Sequence, residues 1–333
     1  MNLFLQVFLI LCIVFLLGII FEMDTGKVWN FHKMRQPHLY DDPHLLVPMP
    51  RRHTEMVRQG RRIAKHQTLI ITGLCRDVAK HIEKNIRRAV LIGELFKDYR
   101  IVLYENDSTD GTRKVLENMA KRNRKIRLID DLKEEKTPEL YSYGTYNSKR
   151  IDRMAYLRNI YMRYIRRNFP KYDYLLVSDF DIEGYTNLTG VLHVIGKRGN
   201  WDAVAVNGQM NIPGTFGSLT SMYDTLAFVK DPKDMAACQQ TNYGFVQGMN
   251  DWLTLGQVTA RNFVPVASAF NGMCLYKMPS VISCKYPTGW RCEHIGLHAE
   301  MAKIGKGRIY LDPFWVVYVG HQGPPSIFRL LFV

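Results

Sequence analysis

Asp179-Phe180-Asp181 is the only place in this sequence where two aspartates stand one residue apart. Carboxylates at that spacing, where an extended segment ends, can share one hard cation, and oxygen donors suit Mg2+ or Mn2+. An ion held there can bridge two phosphates and neutralise the charge that grows on a departing diphosphate. The pattern alone is weak, because about one such pair arises by chance in a chain of this length. Its setting adds weight: the pair follows directly on the apolar run YDYLLVS, residues 172–178.

Other groupings carry ligating or reactive side chains. Glu105-Asn106-Asp107-Ser108-Thr109-Asp110-Gly111 puts acidic and amide groups where a ribose hydroxyl or a base edge can be bonded. A turn, with Asp110 or Thr112 opening the next helix, explains the same residues without a ligand. Arg153, Arg158, Arg163, Arg166 and Arg167 lie on one segment. Arg153 and Arg158, five apart, do not share a narrow helical face, and one of them can reach a phosphate or brace the aspartates. Cys292-Glu293-His294 offers a carboxylate at a helix start that can deprotonate a hydroxyl. His294 and His298 have a metal-binding spacing, but His-Ile-Gly-Leu-His lacks the glutamate of a zinc-protease helix, and packing or capping also accounts for them. His321, in Val-Gly-His-Gln-Gly, can complete a metal shell or serve the structure alone. Trp201, Trp252 and Trp290 can stack on a sugar ring or fill the core.

These residues need a frame, and the hydrophobic pattern supplies one. Residues 68–74, 100–104 and 126–129 read as buried strands. Between them, Val78, Ile82, Ile86 and Val90 recur every four residues on a helix that Asp77 can cap, and 112–123 suits a second helix. Strand and helix in alternation imply a parallel α/β sheet whose post-strand loops share one edge, where ligands bind. Residues 131–150 read as a loop. Asp152 is placed to cap a helix carrying Met154, Leu157, Tyr161 and Tyr164. Strands follow at 172–178, 202–206, 273–277, 308–311 and 315–319, with a helix at 293–304.

The chain has 333 residues, 47% of them hydrophobic, enough for one sizeable core and unlike a disordered protein. Its net charge of +14 favours anionic partners without choosing among them. The six cysteines include no CxxC pair, which argues against a structural zinc site and leaves one or two disulfides open. Residues 3–21 are apolar apart from Gln6, long enough to approach the hydrocarbon thickness of a bilayer, and lack the basic start and cleavage site of a signal peptide. They read as an uncleaved anchor within residues 1–23. Residues 24–66 show no steady period and read as a stem. Lys27, Lys33 and Arg35 follow the anchor and no Lys or Arg precedes it, which points the main domain to the cytosol.

YENDSTDGT (104–112), RMAYLRN (153–159) and YLLVSDFD (174–181) together resemble the GT-A glycosyltransferases. The similarity is closest to the fungal capsule-associated alpha-1,3-mannosyltransferase group and its relatives in other eukaryotes and large DNA viruses. CEHIGLH (292–298) followed by GRIYLDP (307–313) is similar to the acceptor-side segment of several family-2-like members. The likeness spans roughly residues 68–322. It implies a Rossmann-like, mainly parallel sheet flanked by helices over residues 67–333, behind a transmembrane helix. It implies Gly73, Arg76, Glu105 and Asp107 at the nucleotide and Asp181 directly on Mn2+ or Mg2+; Arg153, on the arginine-bearing segment, is the expected phosphate contact beside them. Asp179 would hold the ribose or a metal-bound water, and His321 would be the third metal ligand. Glu293 would be the base if the enzyme inverts. Cys-Glu-His stands where many inverting members carry an acidic pair, so retention stays open.

The expected activity is therefore transfer of a sugar from a nucleotide diphosphate sugar to a glycan, glycoprotein or glycolipid, with no nucleic-acid partner. A Golgi or ER membrane is the common home of such enzymes; the basic flank favours a cytosol-facing domain, in keeping with a virus-infected host. The sequons at Asn106 and Asn187 add a test, since a glycan on Asn106 would block the nucleotide. A sugar nucleotidyltransferase is the main rival, although GLCRDV after the first strand is a poor match to its glycine-rich loop. An inactive carbohydrate-binding protein of the same fold is another, and a nucleic-acid binder is disfavoured by the anchor.

Overall fold

The computed structural model describes residues 51–129, 148–197, 199–214, 217–239 and 262–321. The anchor, most of the stem, Trp252 and the side chain of His321 lie outside the described residues. No helix among those described is long and apolar enough to cross a membrane.

Part of the stretch read as a stem is a helix of the folded body. Helix α1 (Arg51–Ala64) buries His53, Val57, Gly60 and Ala64. Those positions, three or four apart, form one stripe, but with only one large aliphatic among them the stripe carries no obvious hydrophobic period. It packs on α5 (Gly190–Gly196) through glycines. A Cβ on Gly60 would fall 1.8 Å from the Leu192 carbonyl oxygen, and one on Gly196 1.8 Å from that of Met56. Gly196→Val is therefore expected to prise the two helices apart, at a cost of about 2–3 kcal/mol, read as a lower urea midpoint.

The expected alternation holds: β1 (Thr68–Cys75), α2 (Ala79–Gly93), β2 (Asp98–Glu105), α3 (Thr112–Arg122), β3 (Ile126–Ile129), α4 (Ser148–Asn168) and β4 (Tyr174–Ser178). These strands pair in parallel in the order β3-β2-β1-β4. Beyond β4 the sheet is mixed. β8 (Met273–Lys277) runs antiparallel to β4 and to β5 (Ala203–Gly214), and β9 (Ile309–His321) is parallel to β5. β6 (Gly217–Met222) and β7 (Val264–Val266) pair antiparallel with β5 and β9. The segments expected at 308–311 and 315–319 are one strand with an irregularity: Val206 pairs with Asp312, but Asn207 pairs with Val316. Pro313 has no N–H to offer the ladder, so a bulge falls there.

Successive strand residues feed opposite layers. Ile70, Val102, Leu175 and Val177 join a core under α4, α6 (Met278–Val281) and α7 (Glu293–Lys303). Leu69, Ile71, Ile101, Leu103 and Leu176 join the core under α1, α2, α3 and α5. The period-2 pleat thus buries both sheet faces and explains the unbroken apolar runs. Asp152 lies inside α4, not at its start, and accepts a hydrogen bond from the Gly289 N–H at 2.8 Å.

Candidate active site

The carboxyl ends of β1, β2 and β4 meet on one edge, and the residues after them form the site. Beyond Ser178, Asp179 donates its N–H to the Gly272 carbonyl at 2.9 Å. The chain bends at Phe180, whose ring enters the core, 2% exposed, and Asp179 and Asp181 flank it closely enough for the Asp181 charge to act on Asp179. Phe180 packs where a side chain on Gly73 would be: a Cβ there would meet its ring at 2.6 Å and the Ser178 carbonyl oxygen at 2.2 Å. Gly73, expected at the nucleotide, is thus required for strand packing behind the aspartates.

Helix α2 holds this segment by its backbone. Asn85, 4% exposed, donates its amide to the carbonyls of Phe180 and Ile182 at 3.0 Å each. Arg88 donates to the Asn85 side chain at 3.1 Å and to the carbonyls of Ile182 and Gly184. Lys84 reaches the Gly184 carbonyl at 2.8 Å. The sequence reading missed these positioning residues. Their signal was polar side chains at 85 and 88 within the buried stripe of Ile82, Ile86 and Ala89. Asn85→Leu is expected to weaken Mn2+ binding by about 10–100-fold, the usual cost of losing support behind a ligand, measured by calorimetric titration against the parent.

Around the aspartates the charge is unbalanced. Burial pushes the Asp179 carboxyl well above the usual carboxylate range, Asp181 adds to the rise, and Arg158 opposes it. Asp181 reaches solvent, yet desolvation by surrounding protein raises it too, against the pull of His81 and Arg158. Asp224, after β6, is pushed up to about 7 by burial and then by Glu293. Its backbone is in the left-handed region, φ +58°, a strain aspartate tolerates better than most residues. Nothing in its sequence neighbourhood marked it.

Arg158 is the buried cation in this cluster. Its Nε donates to Glu293 Oε1 at 2.8 Å, its Nη2 lies 3.8 Å from Asp179 Oδ1, and its Nη1 donates to the Tyr161 hydroxyl at 3.3 Å. The guanidinium lies over Phe270 and Tyr286 at 5.4 and 5.9 Å. Burial works against its charge, but Tyr161, Glu293, Tyr286 and Asp179 together hold it protonated. Of the two arginines weighed as a brace, Arg158 takes the place; Arg153 lies over Tyr156 at 4.8 Å. Glu293 stands in the first turn of α7, where the helix dipole favours a carboxylate, and is 4% exposed. His294 stacks on Phe270 at 3.6 Å, and burial together with Arg158 drives it well below the usual imidazole range. His298 is packed between Ser268 and Tyr276, and burial lowers it to about 3.

The turn after β2 and the turn after β1 are stitched to each other. Asp77 accepts from the Thr109 N–H, Asp110 from the Ala79 N–H and Thr112 Oγ1 from the Val78 N–H, each at 2.8 Å. The start of α2 is therefore capped from the other loop and not by Asp77, whose own backbone is left-handed. Glu105 is 5% exposed, accepts from the Ser108 N–H and pairs with Arg113 at 3.0 Å, so its carboxylate holds the turn. Arg76 lies 3.5 Å from Asp77, and Asp107 is exposed in the left-handed region. Asn106 is 8% exposed and its amide nitrogen has no hydrogen-bond partner. Asn187 is buried, donating to the Phe314 carbonyl and accepting from Thr189. Neither sequon offers an exposed asparagine in the folded domain. Trp201 and Trp290 are both buried, which favours packing over sugar stacking, and the described cysteines are all free and buried.

Among the described residues no three His, Cys, Asp or Glu side chains converge to enclose a metal ion. The donor set still fits an open hard-cation site, because one or two carboxylates suffice when substrate phosphates complete the shell. The raised carboxyls are the structural mark of that fit: Asp179, Asp181 and Asp224 share the one guanidinium of Arg158, which Glu293 already engages. Unfolded, Asp224 titrates near 3.9; folded, it titrates at about 7. Folding therefore favours its protonated form, and metal-free stability falls as pH rises across that window. Urea midpoints in EDTA should be higher at pH 5 than at pH 8, and Asp224→Asn should shrink the difference.

No family model matches the sequence, and no curated protein matches it. Among solved structures, the chain is similar to a mannosyltransferase of Pyrobaculum calidifontis solved with GDP-Man and Mn2+, at 13% identity and a TM-score of 0.42. That match covers 80% of this chain and 65% of the other, under two thirds of its length. A mannosyl-3-phosphoglycerate synthase of Rubrobacter xylanophilus matches at 16% identity and a TM-score of 0.43, covering 83% and 73%. Residues 1–349 of S. aureus TarS with UDP-GlcNAc match at 12% identity and a TM-score of 0.41, covering 77% and 59%.

Proposed function

We propose that this protein is a GT-A-type glycosyltransferase, moving a sugar from a nucleotide diphosphate sugar to a glycan, glycoprotein or glycolipid acceptor. The observation that carries the reading is the excess of carboxylates around Arg158 at the carboxyl edge of the parallel strands. Bound at Asp179 and Asp181, Mn2+ or Mg2+ would supply positive charge to the leaving diphosphate. The residues of the chain do the rest. Asn85 and Arg88 keep the two aspartates at a fixed spacing. Asn106, just after β2, holds a buried amide nitrogen with no hydrogen-bond partner, the group in this turn left to bond a donor. In an inverting enzyme Glu293 takes the acceptor proton only after Arg158 releases it, since the two are bound at 2.8 Å in the resting site. Asp224 stands in the same field, raised by burial and Glu293 against the weaker pull of Arg158. Residues 1–23 hold the protein to a membrane, with the catalytic domain on the cytosolic side.

The test is a nucleotide-sugar panel with the full chain in detergent and Mn2+, because cutting at residue 60 would split α1. Release of nucleoside diphosphate supports glycosyl transfer. Release of pyrophosphate would instead make the protein a nucleotidyltransferase.

A further inference from the structure

Helix α1 presents two different faces. The inner one is locked by a chain of hydrogen bonds whose direction is set at both ends. Arg52 Nε can only donate, and it does so to His53 Nε2 at 3.0 Å. His53 Nδ1 must then carry the proton it shares with His193 Nε2 at 2.8 Å, and His193 Nδ1 the one it gives to Asp312 Oδ2 at 2.6 Å. His53, His193 and Asp312 are all buried. With the Gly60–Gly196 crossing, this relay makes α1 a rigid part of the domain.

The outer face carries Arg51, Arg58 and Arg62, with Lys65 just past the helix end, all exposed, against Glu55. Arg58 and Arg62, with side chains 65% and 72% exposed, already pair with Glu55 at 3.5 and 3.3 Å, and the face remains strongly positive. The apolar run ends at residue 21, so 29 residues separate it from the helix. Twenty-nine residues reach at most about 100 Å even when fully extended, so the length of chain alone tethers the basic face near the membrane holding the run.

We propose that the outer face of α1 rests on an anionic phospholipid surface and sets the orientation of the domain above it. The proposal rests on residues 1–23 being a membrane anchor, and on nothing about the chemistry. Charge complementarity selects the occupant: each basic side chain near an anionic leaflet strengthens binding by about five-fold. The fixed backbone means that little order must be gained on contact.

The full chain, with Cys12→Ser and Arg62→Cys carrying an environment-sensitive dye, is reconstituted in nanodiscs of phosphatidylcholine alone or with phosphatidylserine. The remaining cysteines of the described residues are buried and leave position 62 as the reactive thiol there. Expected is a blue-shifted emission in phosphatidylserine only, reversed by high salt and abolished by Arg58→Glu with Lys65→Glu. Equal emission in both lipids overturns the proposal, as does a shift produced by duplex DNA in phosphatidylcholine. Retention of the chain in phosphatidylcholine discs after alkaline washing reports the anchor separately. A chain that washes out is mixed with free phosphatidylserine vesicles, where absence of the salt-reversible shift again overturns the surface.

Discussion

Asp181→Ala is expected to abolish sugar transfer, lowering the rate by about a thousand-fold, while leaving the metal-free protein as stable as its parent or more so. The two halves come from one cause. Desolvation raises both carboxyls above the ordinary range, and the Asp181 charge raises Asp179 further. Removing that charge relieves the repulsion in the resting protein. It also removes half of the anionic pair that would hold a divalent ion against the diphosphate, an interaction worth several kcal/mol in the transition state. Nucleoside diphosphate release and urea denaturation in EDTA read the two quantities on the same sample. Transfer at the parental rate would remove the metal from the mechanism. Lost activity together with a collapsed fold would make Asp181 structural.

Arg158→Met should have the largest effect on folding. The arginine is the buried counter-charge for Glu293 and sits within 3.8 Å of Asp179. Taking one partner out of a buried pair leaves the other uncompensated, which costs about 3–5 kcal/mol. Methionine matches the volume, so the loss reports charge and hydrogen bonding more than a cavity. Two controls give the result meaning. Pairing Arg158→Met with Glu293→Gln should recover part of the stability, because the stranded carboxylate is gone. Mn2+ should stabilise the single variant more than the parent, by supplying the missing positive charge near Asp179. An Arg158→Met protein as stable as its parent would mean that the guanidinium holds nothing together.

The sequence made the parallel half of the sheet and the acidic edge legible, because both are local. Residues 126–129 read directly as β3, and YDYLLVS before Asp179 read as a strand, which the structure buries along all of β4. A turn rich in Asp, Asn, Ser and Gly after β2 was equally plain, although its side chains chiefly serve to cap and stitch. Helix α1 was hidden because histidine and glycine stand where aliphatics would have advertised a buried stripe. The family resemblance put Gly73 at the nucleotide, and only the ring of Phe180 behind it supplies a packing reason for a glycine there.

By itself, then, the sequence determined that two aspartates close an apolar strand in an α/β sheet, since periods of two and four residues are written along the chain. Tertiary structure alone decided who surrounds them. Arg158 meets Glu293 across 135 residues, and Asn85 meets the carbonyls of Phe180 and Ile182 across 95 and 97. Asp224 enters the same field from the loop after β6. Those meetings depend on strand order and helix crossings, which no residue spacing encodes, and they set the charge imbalance on which the proposed chemistry rests.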